Sequence, residues 1–316
     1  MIDSYTRQCH QQIVSQVGST YILGQDAVLQ NILIAYLARG HVLIEGPPGT
    51  AKTLTAKLLA KTLSKTFKRI QFTSDLLPGD ILGASIYSPE KQEFQFIKGP
   101  LFSDFIVADE INRTPPRTQS ALLEAMEERQ VTAEGNLMRL SPDFFVIATQ
   151  NPQDFEGTFP LPEVQLDRFL MKIKVEHASV ETEAKILTLV AEDKLPPVLD
   201  DVPTYPIDRS RIEGEVKLVR IDASLKNYIA QIISHTRKHP SLVSGASVRG
   251  AIALMNCSRL LALISGRDFL IPDDIKLLAP ATLCHRIRVS PEARLSSTSE
   301  ESIVEQILKE VPFPKN

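Results

Sequence analysis

Short apolar segments alternate with longer amphipathic ones over the first half of the chain. Five apolar segments are predicted to be β-strands, at residues 41–45, 69–72, 105–108, 144–148 and 171–175. An amphipathic segment at residues 53–63 is predicted to be the helix that follows the first strand. Strands that alternate with helices form mostly parallel sheets that are covered on both faces. The pattern therefore predicts an α/β domain over residues 1–177.

After residue 178 the apolar positions recur at helical spacing. Helix starts are predicted where an N-cap residue or a first-turn proline precedes such a stretch, at Ser179, Asp222, Ser247, Pro272 and Ser299. Between the first two of these helices, the proline-rich residues 195–208 are predicted to be extended. We see no internal repeat, and we expect a second, all-α domain over residues 178–316.

Two further segments alternate around polar turns and are predicted to be β-hairpins. Residues 83–97 alternate around a Ser-Pro-Glu-Lys tip, and residues 131–140 alternate around Glu-Gly-Asn. We expect both hairpins to be inserts in the α/β domain rather than strands of its central sheet.

Composition and charge exclude several classes of protein. The 316 residues are 43% hydrophobic and 23% charged, which is typical of globular domains and excludes disorder and a coiled coil. With 35 basic and 38 acidic residues, the net charge of −3 indicates no strong attraction to nucleic acid or to a membrane surface. No apolar run approaches the ~18 residues that span a bilayer, and the N-terminus lacks a signal-peptide pattern.

Cysteine usage indicates a reducing compartment. Cys9, Cys257 and Cys284 are odd in number and widely spaced, so they predict neither a disulfide framework nor a metal site. A cytoplasmic location is therefore expected, with Cys257 packed in the core.

A phosphate-binding loop is predicted between the first strand and its helix. Its residues are Gly46, Pro47, Pro48, Gly49, Thr50, Ala51, Lys52 and Thr53. Backbone N–H groups and the helix N-terminus would surround a phosphate, with the Lys52 ammonium on its oxygens and the Thr53 hydroxyl on Mg²⁺. Ala51 replaces the usual glycine, so we expect a negative φ there, because a Cβ disfavours the left-handed conformation.

Two carboxylates follow the third predicted strand. Asp109 and Glu110 come directly after four apolar residues. A solvated acidic pair at a strand end is common, but this edge of a parallel sheet is also where ligands bind in open α/β folds. Asp109 would then hold Mg²⁺ through water, and Glu110 would polarise the attacking water. Together with the phosphate loop, this pair predicts a nucleoside triphosphatase.

Three polar residues are weaker candidates when each is taken alone. Asn151 follows the fourth strand, where it could orient water or contact a γ-phosphate, although turn asparagines are common. Arg168 would by default be a surface salt-bridge partner. Arg249 lies at a helix start, where the helix dipole disfavours a cation, so a phosphate partner would explain its placement.

Four segments resemble the MoxR family of AAA+ ATPases. They are residues 46–53, 108–132, 148–169 and 245–280, and the similarity extends over about residues 22–288. In that family an alanine before the lysine of the phosphate loop is usual, so Ala51 becomes a family feature. The resemblance implies an AAA+ core, with a parallel five-stranded sheet, flanking helices and two hairpin inserts, followed by a helical lid domain.

The resemblance also implies roles for individual residues. Asn151 would be sensor 1, Arg168 the arginine finger that reaches a neighbouring subunit's nucleotide, and Arg249 sensor 2. Arg113 would lie near the subunit interface. The segment that closes over the adenine matches Ile22, Leu23, Gly24 and Gln25, and Leu54 joins the nucleotide-binding residues. ATP and Mg²⁺ are the expected cofactors, and a hexameric ring is the expected assembly.

Three cellular roles fit such a core. A MoxR-type ATPase remodels or matures protein complexes, in some cases assisting metal or cofactor insertion, and typically works with a von Willebrand A domain protein. A chelatase-type subunit is an alternative that the sequence does not separate from this one. A nucleic-acid motor needs cationic hairpins, but Lys91 and Lys98 are offset by Glu90 and Glu93 in the first hairpin.

The second hairpin is also close to neutral, with Arg139 set against Glu134. A protein client is therefore favoured over nucleic acid. Whether the hairpins grip that client or are ordinary surface hairpins stays open. A further basic cluster is interpreted as a solvated helix face; it contains Lys61, Lys65, Lys68 and Arg69.

Overall fold

A parallel sheet forms the centre of the N-terminal half of the chain. The structure is a computed structural model and describes residues 4–18, 22–133, 135–151, 157–192 and 202–312. The five strands of this sheet are β1 (Val42–Glu45), β2 (Phe67–Gln71), β5 (Phe105–Asp109), β8 (Phe145–Gln150) and β9 (Met171–Lys174). Their spatial order is β2-β5-β8-β1-β9, and every pairing is parallel. The predicted fold class is confirmed, and each strand begins and ends within two residues of its predicted bounds.

The two faces of the sheet are covered by different helices. The helices of this half are α1 (Tyr5–Ile13), α2 (Asp26–Leu37), α3 (Lys52–Thr62), α4 (Pro78–Leu82), α5 (Pro116–Glu128) and α6 (Glu163–Leu166). Alternate residues of a strand point to opposite faces, so Val42 and Ile44 pack with α2 and α3, whereas Leu43 packs with α5. Burial on both faces explains why β1, β5 and β8 each begin with at least three consecutive apolar residues.

Both predicted hairpins are present. The first is formed by β3 (Gly83–Ser88) and β4 (Glu93–Lys98), and the second by β6 (Gln130–Ala133) and β7 (Asn136–Arg139). Glu134 at the second turn lies outside the described residues. The first hairpin exposes large apolar side chains, namely Ile86, Tyr87, Phe94 and Ile97.

Helices dominate the C-terminal half. They are α7 (Val180–Ala191), α8 (Arg209–Leu218), α9 (Ala223–Lys238), α10 (Val248–Ile264), α11 (Pro272–Leu283), α12 (Pro291–Leu295) and α13 (Glu300–Glu310). A short antiparallel pair joins them, formed by β10 (Leu242–Ser244) and β11 (Arg288–Val289). Helix α8 was not predicted. The extended segment predicted at 195–208 lies partly outside the described residues, and residues 202–208 contain no helix or strand.

Each predicted helix start coincides with the start of a helix in the structure. Ser179, Ser247 and Ser299 each cap a helix by accepting a backbone N–H two or three residues later. Asp222 occupies the N-cap position of α9 without a side-chain cap bond, and Pro272 is the first residue of α11.

The first helix packs against the C-terminal half. Glu215 of α8 accepts the backbone N–H groups of Tyr5 and Thr6, each at 2.9 Å, and the Thr6 hydroxyl at 2.6 Å. One apolar cluster runs from the sheet through α2 and α3 into α10 and α11. The domain division at residues 177 and 178 stays a prediction.

The cysteines bear on the compartment, and the longest helices bear on membrane crossing. All three cysteines are free and buried. Within the part of the chain that the structure describes, no helix is both long enough and apolar enough to cross a bilayer.

Candidate functional site

The phosphate loop runs from the end of β1 to the start of α3, as predicted. A Cβ on Gly46 would lie 2.4 Å from the carbonyl oxygen of Val175, so only glycine allows the strand ends to approach here. Gly49 takes a φ of +81°, which turns the loop back towards the helix. The loop is held from outside by Gln25, whose Nε2 donates to the Thr50 carbonyl at 2.8 Å.

The backbone of Ala51 contradicts the prediction of a negative φ. Its φ is +56° and its ψ is 17°, which is the left-handed conformation. Ala51 is the N-cap of α3, and its carbonyl accepts both the backbone N–H and the hydroxyl of Thr55, at 2.9 and 3.0 Å. The tight reversal from loop to helix therefore overrides the preference of a side chain with a Cβ, at a cost of roughly 1–2 kcal/mol.

The Lys52 side chain folds back over the loop. Its Nζ donates to the carbonyls of Gly46 and Pro47, both at 2.7 Å. Burial lowers the pKa of the Lys52 ammonium, while the charges of Asp109 and Glu110 act in the opposite direction. The ammonium is therefore aimed at the centre of the loop, where a phosphate would meet it.

An apolar cavity of about 410 Å³ opens on one side of the loop. Of the four predicted adenine-segment residues, Ile22, Leu23 and Gln25 line it, whereas Gly24 is absent from the lining and turns the chain with a φ of +75°. Leu54, which the resemblance placed among the nucleotide-binding residues, also lines it. Sequence reasoning missed the part of the lining that comes from the segment after β9 and from α7: Glu176, His177, Ala178, Glu183, Ile186 and Val190.

A polar cavity of about 390 Å³ lies on the other side of the loop. It shares a wall with the apolar cavity, formed by Gly49, Thr50, Ala51 and Leu54. The structure brings Lys52, Thr53, Asp109, Glu110 and Asn151 together in its lining. An apolar cavity that adjoins a phosphate-loop cavity fits a nucleoside triphosphate, with the base in the first and the phosphates in the second.

Asp109 is the buried centre of the polar cavity. Thr53 Oγ1 donates to its carboxylate at 3.1 and 3.3 Å, and Thr149 Oγ1 donates at 3.1 Å. A hydroxyl beside a carboxylate is a pair of oxygen ligands that suits Mg²⁺. The described residues contain no cluster of three or more His, Cys, Asp or Glu that could hold a metal alone. A magnesium ion at Thr53 and Asp109 would therefore need further oxygens from phosphate and water.

Glu110 lies next to Asp109 in a strained conformation. Its φ is +57°, and its backbone N–H donates to Thr149 Oγ1 at 3.0 Å. Its carboxylate accepts Gln71 Nε2 at 2.8 Å and lies 3.4 Å from Arg113 Nε. Left-handed non-glycine residues concentrate at functional sites, where surrounding contacts maintain the strain. The Glu110 side chain lines the polar cavity.

Two residues of β2 that line the polar cavity were not among the predicted site residues. Arg69 donates its Nε to Asp109 at 2.5 Å, and Gln71 reaches Glu110. The sequence predicted Arg69 in the second strand, which is confirmed, but it also grouped Arg69 with a basic cluster interpreted as a solvated helix face. That interpretation is wrong for Arg69, which lines the polar cavity. The signal lies in the strand period: positions 69 and 71 share one face, and β2 pairs directly with β5.

Arg168 and Arg249 lie together on a different surface. Neither lines the two cavities described above. Both bind Glu127 of α5: Arg168 Nε is 3.1 Å from one carboxylate oxygen, and Arg249 Nη2 is 2.7 Å from the other. They border a smaller cavity of about 260 Å³ between α5, the segment before β9 and α10. The structure therefore groups the two arginines with each other and not with Lys52.

Comparison with known proteins agrees with this geometry. Residues 41–171 match the model of the ATPase family associated with various cellular activities (AAA), and residues 234–307 match the AAA lid domain. The chain is 38% identical to Chaperone MoxR1 of Mycobacterium tuberculosis, over 93% of this chain and 80% of that one. It is 49% identical to the uncharacterised protein YeaC of Bacillus subtilis, over 89% and 88% of the two chains.

A solved structure is similar over nearly the whole chain. It is that of a candidate ATPase from Cytophaga hutchinsonii, with 39% sequence identity and a TM-score of 0.88. The match covers 98% of this chain and 96% of the other. The overall fold is therefore shared with a protein of experimentally known structure.

Proposed function

Because the chain belongs to the MoxR family of AAA+ ATPases, we propose that it hydrolyses MgATP to remodel or mature protein complexes. The observation that carries the proposal is the pair of adjoining cavities around the phosphate loop, with Lys52, Asp109 and Glu110 lining the polar one. ATP would place its base in the apolar cavity and its phosphates against Lys52.

The residues of the polar cavity divide the chemistry between them. Lys52 neutralises phosphate oxygens, and Thr53 with Asp109 would hold Mg²⁺. When bound, the ion would neutralise phosphate charge. Glu110 accepts a proton from the attacking water, and Asn151 at the end of β8 orients that water or contacts the γ-phosphate. Closure of the apolar wall by Ile22 and Leu23 would exclude bulk water from the base.

The placement of the arginines supports catalysis between subunits. Arg168 and Arg249 lie on a surface separate from the nucleotide cavities of their own chain. In a ring, which we propose to be hexameric, this surface would face the open nucleotide cavity of a neighbour. An arginine supplied in trans is typically worth about 10³–10⁵ in rate, so an isolated subunit should hydrolyse ATP slowly. We propose that Arg113, beside Glu110, lies near the same interface.

The exposed surface of the first hairpin supports a protein client. Ile86, Tyr87, Phe94 and Ile97 are each about half exposed or more, and the hairpin's charges nearly cancel. Apolar contact suits a polypeptide, whereas tracking a phosphate backbone needs a line of cations. We propose that the client is a protein complex, with a von Willebrand A domain protein as partner and metal or cofactor insertion as one outcome.

The compartment follows from cysteine chemistry. Three free, buried thiols would persist in a reducing environment, so we propose a cytoplasmic location.

Two substitutions test the ATPase proposal. Lys52→Ala should abolish ATP binding, because no other cation takes the place of its ammonium within the loop that the structure describes. Glu110→Gln should bind ATP normally and lose about 10²–10⁴ in turnover, because the amide cannot accept the proton. Fluorescent nucleotide titration and phosphate release measure the two effects. Wild-type turnover by Glu110→Gln would show that Glu110 is not the base.

The same variant can identify the client. Glu110→Gln should bind ATP without hydrolysing it, and we expect it to stay bound to its client in that state. Proteins that co-purify with Glu110→Gln can then be compared with those that co-purify with Lys52→Ala. A client found only with Glu110→Gln supports remodelling. Salt-sensitive binding of single-stranded DNA at physiological ionic strength would favour the nucleic-acid motor instead.

A further inference from the structure

One carboxylate joins the two arginines that lie outside the nucleotide cavities. Glu127 is on the last turn of α5 and offers one oxygen to Arg168 Nε at 3.1 Å and the other to Arg249 Nη2 at 2.7 Å. The three residues come from three separate places, namely the helix after β5, the segment before β9 and the first turn of α10. Glu127 therefore ties the helical C-terminal half to the α/β half at this point.

The backbone that carries Arg168 is already held without Glu127. Arg286 donates Nε to the Asp167 carboxylate at 2.7 Å, Nη2 to the Phe169 carbonyl at 2.7 Å and Nη1 to the Leu170 carbonyl at 3.1 Å. His285 Nε2 also contacts the Phe169 carbonyl, at 3.0 Å. The backbone on both sides of Arg168 is therefore anchored on a buried guanidinium. These contacts do not fix the long side chain of Arg168, whose ion-pair partner is Glu127.

Arg249 is in a similar position. Its backbone begins α10, where Ser247 Oγ accepts its N–H at 3.2 Å, and its side chain is 53% exposed. Its second acidic neighbour, Asp167, is 3.9 Å away and already pairs with Arg286. Without Glu127, the guanidinium groups of Arg168 and Arg249 would repel each other and populate many rotamers.

Stability does not explain the arrangement well. Arg168, Arg249 and Glu127 are 26%, 53% and 34% exposed, and ion pairs at that exposure contribute about 0–1 kcal/mol each. The hydrogen bond from Arg249 holds the pKa of Glu127 below its usual range, so the carboxylate is charged at neutral pH. The ion pairs of Glu127 therefore contribute little to folding. Orienting Arg168 and Arg249 has an effect when the two cations together bind an anionic group.

We propose that Glu127 is a positioning residue that holds Arg168 and Arg249 as a pair for the phosphates of ATP bound to a neighbouring subunit. The inference rests on the proposed function, because it assumes that these arginines act in trans. Glu127 balances the charge of the pair before assembly and restricts its rotamers, so that both guanidinium groups enter the neighbour's site already oriented. Glu127 itself touches neither ATP nor water in the reaction.

The test compares Glu127→Gln with Glu128→Gln. Glu128 is the next carboxylate on the same helix, is exposed, and does not share the ion pairs of Glu127. For the assembled Glu127→Gln protein we expect kcat to fall about 10- to 100-fold, because small misplacements of catalytic groups cost that much. KM for ATP should stay within about twofold, because Lys52 and the apolar cavity of the other subunit are intact. Glu128→Gln should match the wild type in both constants.

Oligomer mass and the thermal midpoint are measured on the same samples. A loss of kcat that accompanies dissociation of the assembly, or unfolding of Glu127→Gln at the assay temperature, would overturn the positioning role. A kcat at or above the wild-type value would also overturn it, because Glu127 would then be dispensable or would compete with the phosphates.

Mixed assemblies distinguish misplacement of Arg168 and Arg249 from damage to the nucleotide site of the Glu127→Gln subunit. Glu127→Gln subunits keep Glu110, and Glu110→Gln subunits keep a correctly held pair. A mixture should therefore regain activity at interfaces that combine the two intact halves. No recovery would mean that Glu127→Gln damages its own nucleotide site, which contradicts the inference.

Arg168→Ala distinguishes the two levels of the proposal. If Arg168→Ala loses turnover while Glu127→Gln does not, the shared site stands and the role of Glu127 is wrong. If Arg168→Ala turns over ATP at the wild-type rate, the shared site itself is wrong, and the inference about Glu127 fails with it.

Discussion

Arg69 Nε lies 2.5 Å from Asp109 Oδ2, so a guanidinium group rests against the carboxylate that we expect to hold magnesium. The contact continues along β2: Arg69 Nη2 donates to Gln71 Oε1 at 2.8 Å, and Gln71 Nε2 donates to Glu110 at 2.8 Å. The two carboxylates of the site are therefore connected through two side chains of the neighbouring strand. Arg69 and a divalent cation would compete for the same oxygen of Asp109.

This competition predicts the effect of Arg69→Ala on magnesium affinity. Removal of the guanidinium leaves the Asp109 oxygen available to the ion. The Mg²⁺ concentration that half-saturates the ADP complex should therefore fall about three- to tenfold, equivalent to roughly 1 kcal/mol. Calorimetric titration of the ADP complex with Mg²⁺ measures this without any turnover. Lys68→Ala is the matched control, because Lys68 has the same charge on the same strand but points to the other face. An unchanged or higher Mg²⁺ requirement for Arg69→Ala would rule out the competition.

The left-handed Ala51 predicts a stabilising substitution. Glycine adopts a φ of +56° without the Cβ strain of alanine, but it loses more backbone entropy on folding. We expect Ala51→Gly to raise the free energy of unfolding by about 0.5–1 kcal/mol and to leave ATP binding intact. Ala56→Gly, in the interior of α3, should instead lower it by about 1 kcal/mol. Urea denaturation measures both, and a destabilised Ala51→Gly would show that this position is not strained.

The close approach at Gly46 predicts the opposite behaviour. In Gly46→Ala the new Cβ would meet the Val175 carbonyl oxygen at 2.4 Å, so the strand ends must separate. We expect a loss of about 1–3 kcal/mol in stability and a large loss of ATP affinity, because the carbonyl of Gly46 is also a partner of Lys52. Gly79→Ala is the control, since a Cβ there meets nothing within 4 Å. Normal nucleotide binding by Gly46→Ala would mean that the loop tolerates a wider opening.

Buried histidines predict a loss of stability at acidic pH. The His41 ring is fully enclosed, with Nε2 against the Met126 carbonyl at 3.2 Å and Nδ1 accepting the Val146 N–H at 3.0 Å. Burial lowers the pKa of His41 to about 3, and nearby Arg129 adds to the shift. A proton on Nδ1 would remove that acceptor and place a charge in the core.

The direction of the change in stability with pH follows from the pKa values of His41 in the unfolded and folded chains. The unfolded chain binds a proton at His41 below about pH 6.5, whereas the folded chain does not until about pH 3. The stability that His41 contributes is therefore present above pH 6.5 and is lost as the pH falls, by up to about 1.4 kcal/mol per pH unit. Burial also lowers the pKa of His10 to about 4, which adds to the loss.

Unfolding free energies at pH 7 and pH 5 measure this dependence. We expect His41→Gln to start lower at pH 7 but to lose about 2 kcal/mol less than the wild type between the two values. His235→Gln, at an exposed position of α9, should keep the wild-type dependence. Equal pH dependence for all three proteins would mean that His41 does not remain neutral in the fold.

The sequence by itself determined the parts of the site that are contiguous in the chain. A buried strand followed by a glycine-containing loop and a lysine predicts the phosphate loop, because the strand end and the helix start confine both the backbone and Lys52. Asp109 and Glu110 were found for the same reason, since parallel strands end at one edge of the sheet. The five strands, the hairpins and the helix caps likewise follow from local period and turn chemistry.

Only the tertiary structure decided which distant residues meet. Glu127, Arg168 and Arg249 are joined by the packing of α10 against the α/β half, and no local pattern encodes that contact. Arg69 and Gln71 reach the acidic pair because β2 is the neighbour of β5 in the sheet, an order that strand periodicity leaves open. The conformation of Ala51 was mispredicted because local steric preference is worth only about 1–2 kcal/mol, and the closure of the loop onto α3 outweighs it.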